Sequence, residues 1–254
     1  MRRYFPITVA LLLFLLVLLV LKAPARLLPA LLPSEQVILQ GLSGSVWRGQ
    51  SSRSLLRIGN NAYVQLGHLQ WRLRPWSLLL LSPTVELESR WGEQRISANV
   101  AIHSGEDFEL QALDANINAE LLKHLAPLAL DGRLSLQIAQ LRLQQGWPAG
   151  GEGRLVWQQA VWSAPRGRLP LGSYVLEFKQ ADADAALSAE VLTLSGPLQA
   201  EGSMTLKQQI YALDLNITAE GGLDPSLRDA LSLVATPQAE GFHLKINGAL
   251  AALK

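Results

Sequence analysis

From residue 36 onward the chain is dominated by alternation of apolar and polar positions with period two. Leu134, Leu136 and Ile138 share one parity and Arg133, Ser135 and Gln137 the other. The parity then flips to Leu141 and Leu143. A one-residue flip would carry every later side chain to the wrong face, so a bulge near Ala139–Gln140 is expected. The same flip separates Phe108 and Leu110 from Leu113, Ala115 and Ile117. Strands of this kind bury one face and wet the other, as antiparallel sheets do.

Two segments break this rhythm with helical signals. Residues 119–126 (AELLKHLA) run up to Pro127, and residues 224–233 open with an Asp at the cap position followed by Pro at the first turn. Their settings match: LDANI at 113–117 precedes the first and LDLNI at 213–217 the second. DGRLSLQI at 131–138 and EGFHLKIN at 240–247 follow them. GSVWRGQ at 44–50 likewise parallels GRLVWQQA at 153–160. Offsets of about 100–110 residues are the span of a domain rather than of a short solenoid unit. The expectation is a mainly β body made of two related halves, 36–145 and 146–254. Each half would hold several strands and one short helix, together forming a curved, largely antiparallel sheet.

The first 35 residues follow another pattern. Residues 5–21 (FPITVALLLFLLVLLVL) contain Thr8 as their one polar side chain. About 17 residues at 1.5 Å each give roughly 26 Å of helix, close to the ~30 Å hydrocarbon thickness. The run Leu11, Leu12, Leu13, Phe14, Leu15 and Leu16 is its centre. Arg2 and Arg3 precede it, which puts residues 1–4 in the cytoplasm and the body beyond the inner membrane, in the periplasm. Ala23-Pro24-Ala25 has the form of a signal-peptidase site, but the apolar run is longer than a signal peptide needs and Lys22 and Arg26 flank it. An uncleaved single-pass anchor is expected, with residues 22–35, broken by Pro24, Pro29 and Pro33, as a juxtamembrane linker.

Charge follows the same division. Residues 1–26 hold four of the 22 basic residues and no acid, so the rest carries 18 basic against 21 acidic groups, net −3. A mildly acidic body lacks the field that nucleic-acid binding requires. With no cysteine there is neither a disulfide framework nor a thiolate metal site.

Nothing in the sequence points to catalysis or to a cofactor. His68, His103, His124 and His243 form no HExxH or H-x-x-x-H pair, and there is no G-x-S-x-G, Walker A or G-x-G-x-x-G motif. Gly150-Gly151-Glu152-Gly153 reads as a turn at the joint of the halves, and Asp182 and Asp184 as a solvated turn. Tryptophan carries more information, since its large ring and single N–H suit cores and interfaces alike. Trp157 and Trp162 are separated by an odd number, so one faces outward or follows a bend. Trp47 with Arg48, Trp157 and Trp162 are the candidate interface residues. Leu78–Leu81, after Pro75 and Trp76, read better as a buried strand than as a rim meeting a membrane surface.

The order of these motifs carries a resemblance. GSVWRGQ is followed by LGHLQWRLRPWSLLL (66–80), then by GWPAGGEGRLVWQQAVWSAP (146–165), LPLGSYVLEF (169–178) and LSGPLQAEGSMTL (194–206). This succession, after an apolar stem, resembles the N proteins of the bacterial type II secretion system (general secretion pathway protein N). It is more distantly similar to AsmA-like envelope proteins. The first resemblance implies a non-enzymatic inner-membrane accessory of secretion, with the secretin and the inner-membrane assembly platform as partners. The second implies a lipid-handling module as the alternative, and neither brings catalytic residues.

Overall fold

The computed structural model describes residues 22–31, 37–58, 62–79, 82–104, 107–120, 129–145, 147–164, 167–182 and 185–249. The proposed anchor at 5–21, and with it Leu11 to Leu16, lies outside these residues. So does most of the helix expected over 119–126. Among the described residues no helix is long and apolar enough to cross a membrane.

The described strands form one 14-stranded antiparallel sheet. In chain order they are β1 (Val37–Gly44), β2 (Arg48–Ile58), β3 (Ala62–Leu73), β4 (Thr84–Trp91), β5 (Gln94–Ser104), β6 (Asp107–Asn118) and β7 (Leu130–Gln144). They continue with β8 (Trp147–Ala164), β9 (Gly167–Gln180), β10 (Leu187–Ser195), β11 (Leu198–Lys207), β12 (Ile210–Ala219), β13 (Thr236–Gln238) and β14 (Gly241–Ala249). Each strand pairs with its neighbours in sequence, except that β14 lies beside β12 and the short β13 takes the outer edge. Hairpin connections of this kind need no crossover and keep contacts local. β7 and β8 pair across the whole length of β7, so the sheet runs without a break through residue 145.

Both parity flips are bulges. The β5–β6 register shifts between Ser97 and Asn99, opposite Ala112, which has φ +49°. The β7–β8 register shifts between Ile138 and Gln140. Gln111 pairs with Gln140 and Leu113 with Ile138, so Ala112 and Ala139 are the extra residues of two adjacent strands. The apolar set therefore stays on one side through the whole of β6 and β7.

Among the described residues three short α-helices decorate the sheet. A 3-10 turn, Ala25–Leu27, runs directly into α1 (Leu28–Leu31). Pro24 bridges Ser45, and the Val46 N–H donates to the Ala23 carbonyl (2.9 Å). Residues 22–31 are thus docked on the β1–β2 corner, with Ala25 buried. α2 (Pro75–Leu79) replaces the buried strand expected around Leu78. Pro75 suits a first helical position, and the Ser77 hydroxyl donates to the Arg74 carbonyl (2.6 Å) while accepting the Thr84 N–H (2.8 Å). Trp76 is 78% exposed and Leu78 39%. Leu80 and Leu81 lie outside the described residues. α3 (Pro225–Ser232) forms where expected, with the Asp224 carboxylate accepting the Ser226 N–H (2.8 Å) at its cap.

Candidate functional site: a continuous apolar sheet face

Residues paired across an antiparallel ladder point to the same side of the sheet. Following one row from strand to strand gives Ile96, Ala115, Leu136, Leu155, Leu176, Val191, Gly202, Leu215 and Leu244. The parallel row through Ile138 adds Gly153, Phe178, Ala189, Met204, Leu213 and Ile246. One side of the sheet is therefore apolar from β5 to β14. The row between these two faces the other side and reads Ser97, Asp114, Gln137, Arg154, Glu177, Glu190, Ser203, Asp214 and Lys245.

The apolar side has its best-enclosed region over β8–β11. Ala160, Leu171 and Tyr174 are buried there, with Trp157, Trp162, Leu169, Leu198, Ala200 and Leu227 of α3 packed around them. Leu155, Trp157, Tyr174, Leu176, Val191 and Leu198 line a cavity of about 280 Å³. The Tyr174 hydroxyl lies 2.9 Å from the Leu171 carbonyl and 3.0 Å from the Leu198 carbonyl, a donor held between two acceptors. Burial pushes its pKa up to about 12. Trp157 stacks obliquely on Tyr174, centroids 6.1 Å apart at 47°, and its indole N–H donates to the Asp131 carbonyl (3.1 Å).

The polar side is laced with ion pairs. Glu86 accepts from Arg74 Nε (2.9 Å) and from Arg72 Nη1 (3.3 Å). The hydrogen bond from Arg74 chiefly holds its carboxyl below the usual carboxylate range. Arg90 does the same for Glu88. Asp107 is lowered first by the Ser104 hydroxyl and then by the Gln145 N–H. These are surface pairs and add little stability each. His243 and Asp214 lie 2.7 Å apart. Among the described residues no three His, Asp or Glu side chains converge as metal ligands.

The four candidate interface residues are not brought together. Trp47 is half-buried and Arg48 exposed, at the β1–β2 corner, where the Trp47 carbonyl accepts the Leu73 N–H (2.8 Å). Trp157 and Trp162 are on β8, six strands away or roughly 29 Å along the sheet at ~4.8 Å per strand. Both pack on the same buried cluster despite their odd spacing. The register shifts between Trp157 and Ala160, and Gln159 has φ +50°, so a bulge restores their common side. Sequence reasoning passed over Tyr174, although its parity with Leu176 and Phe178 marks it as inward. It also passed over the exposed Trp76.

The site is a broad, one-sided apolar surface on a single sheet with a charged reverse, the form of a scaffold or binding platform. The model of the family described as type II secretion system (T2SS), protein N matches residues 35–245. The chain is 31% identical over 244 residues to the type II secretion system protein N of Aeromonas hydrophila, covering 91% of this chain and 92% of that protein. It is 26% identical over 224 residues to the protein of the same name from Klebsiella pneumoniae, covering 80% and 84%. This chain belongs to the type II secretion system protein N family. No solved structure matches it.

Proposed function

We propose that the protein is an accessory, non-enzymatic component of a type II secretion system, anchored in the inner membrane by residues 5–21 with its sheet in the periplasm. There it would support export of folded proteins across the outer membrane through contacts with the secretin and the assembly platform. The observation that carries this reading is the family match, which runs from before β1 to within β14 and so takes in the whole sheet. Contacts by side-chain docking at the β1–β2 corner, around Trp47 and Arg48, or by strand addition along an edge fit this geometry. Among the described residues β13 covers only Gly241 to His243 of β14, and no other strand pairs with the longer part of that edge, which suits strand addition.

Photo-crosslinkers at position 47 and along 197–220, in cells secreting a type II substrate, test it. Adducts with secretin or platform subunits are expected. Their absence, with secretion unchanged on deleting the gene, refutes the reading.

The continuous apolar face favours a second reading, in which a curved sheet shelters acyl chains. Native mass spectrometry of the detergent-extracted protein separates the two: stoichiometric lipid supports the second, co-purifying secretion subunits without lipid the first.

We also infer that the sheet consists of two related halves. LDANI lies on β6 and pairs with β7, with Leu113 opposite Ile138 and Ile117 opposite Leu134. LDLNI lies on β12 and pairs in the same way with β14, Leu213 opposite Ile246 and Ile217 opposite Phe242. This pairing equates Leu134 with Phe242, one residue out of step with the similarity of DGRL to EGFH.

A further inference from the structure

The corner where the described chain begins carries an apolar surface that no described residue covers. Ala23 and Pro24 are tied to Val46 and Ser45, and the next residue, Trp47, is tied to Leu73. Two hydrogen-bonded spacings separate Ala23 from Leu73, about 10 Å. α2 begins two residues after Leu73, with Trp76 and Leu78 standing out from it. Leu27, 47% exposed, protrudes from the 3-10 turn that follows Ala23. Lys22 and Ala23, the first described residues, therefore lie at the same corner as this helix.

We propose that α2 is a second, interfacial membrane contact, with Trp76, Leu78 and Leu27 seated at the headgroup level of a bilayer carrying anionic lipid. The inference rests on the anchor proposed above. Trp is at home at this depth because its ring is apolar and its N–H finds water or headgroups. Basic groups lie on both parts of this corner: Lys22 and Arg26 on the 22–31 segment, and Arg72 and Arg74, at the end of β3 just before α2, sharing the single carboxylate of Glu86. The surplus positive charge suits anionic headgroups. The corner is also stiff. Ala25 is buried, and Ser77 ties α2 to Arg74 and Thr84, so the anchor's exit and α2 meet the membrane as one body. The sheet would then stand on the bilayer by its β1–β4 corner instead of swinging on a tether.

The absence of cysteine makes the test direct. Full-length L78C, W76C, L13C and E93C are labelled singly with an environment-sensitive fluorophore and reconstituted into vesicles of phosphatidylethanolamine and phosphatidylglycerol. Glu93 is an exposed position in the turn at the opposite end of β4. Quenching by spin-labelled lipid is expected to be several-fold stronger at 76 and 78 than at 93. Labels at 76 and 78 that behave like the one at 93 overturn the contact and leave the patch to a protein partner. The label at Leu13 reports on the anchor separately. Quenched there but not at 78, the anchor stands and the second contact falls; unquenched at 13 but quenched at 78, the reverse.

Discussion

Replacing Tyr174 with phenylalanine removes one oxygen from the enclosed part of the apolar face and keeps the ring that packs on Trp157. At neutral pH the loss is one hydroxyl held between the Leu171 and Leu198 carbonyls, which destabilises by about 1 kcal/mol. At alkaline pH the balance reverses. Burial raises the pKa from 10.0 to about 12, so the folded state keeps a proton that the unfolded state releases. The stability that this proton confers is intact below pH 10 and is lost as pH rises through 12. By linkage the wild type loses about 1 kcal/mol by pH 11 and about 3 kcal/mol once the pH has passed 12. The variant has no such proton, so the two stability curves cross near pH 11. Urea denaturation of the full chain in detergent, followed by tryptophan fluorescence from pH 7 to 12, measures this. Parallel alkaline declines in wild type and Y174F would refute the burial of this hydroxyl.

Three further outcomes follow from single contacts. Gly196, with φ +126°, lies so close to Gly172 that an added Cβ would run into the Gly172 Cα and come within 2.9 Å of the Leu171 carbonyl; G196A should lower stability by about 1–3 kcal/mol in the same assay. D224A removes the cap of α3 and should lower stability by about 1 kcal/mol, with little change for D224N. L13R with L16R adds about 2.5–3.5 kcal/mol per arginine at mid-membrane, so carbonate extraction should release the double variant and retain the wild type.

The sheet was legible in the sequence because its period of two is a geometric property of strands. Even the bulges at Ala112 and Ala139 were visible, since each must restore the parity that the apolar face demands. Strand order was not. Alternation says which side a residue faces and nothing of its neighbour, and the meander follows from short hairpin loops that pattern alone does not rank against Greek-key returns. The sequence misled at Leu78 and Leu79, the described part of a leucine run that looks buried in either state. The local hydrogen bonds of Ser77 decide for a helical turn, and these depend on where Thr84 returns. Of the candidate interface tryptophans, Trp157 and Trp162 pack, half-buried, on the cluster of the apolar face. A Trp spacing gives no warning of an intervening bulge.

The arrangement of the two faces has a consequence for how the molecule is held together. In a two-layer domain the apolar face of each sheet is covered by the other. Among the described residues this sheet has no second layer, and α3 contributes Leu227 to a single region over β8–β11. Among these residues the apolar packing is mostly neighbour to neighbour within the sheet, as between Leu155 and Leu176 or Met204 and Leu213. Such packing leaves the tops of the side chains open. Any partner that seats on them gains apolar burial at ~25 cal/mol per Å² without displacing part of the fold. Binding and folding thus draw on the same residues to different depths. Half-buried positions such as Leu176 and Val191 bear on what the face accepts, whereas Tyr174, Leu171 and Ala160 beneath them bear on whether it forms.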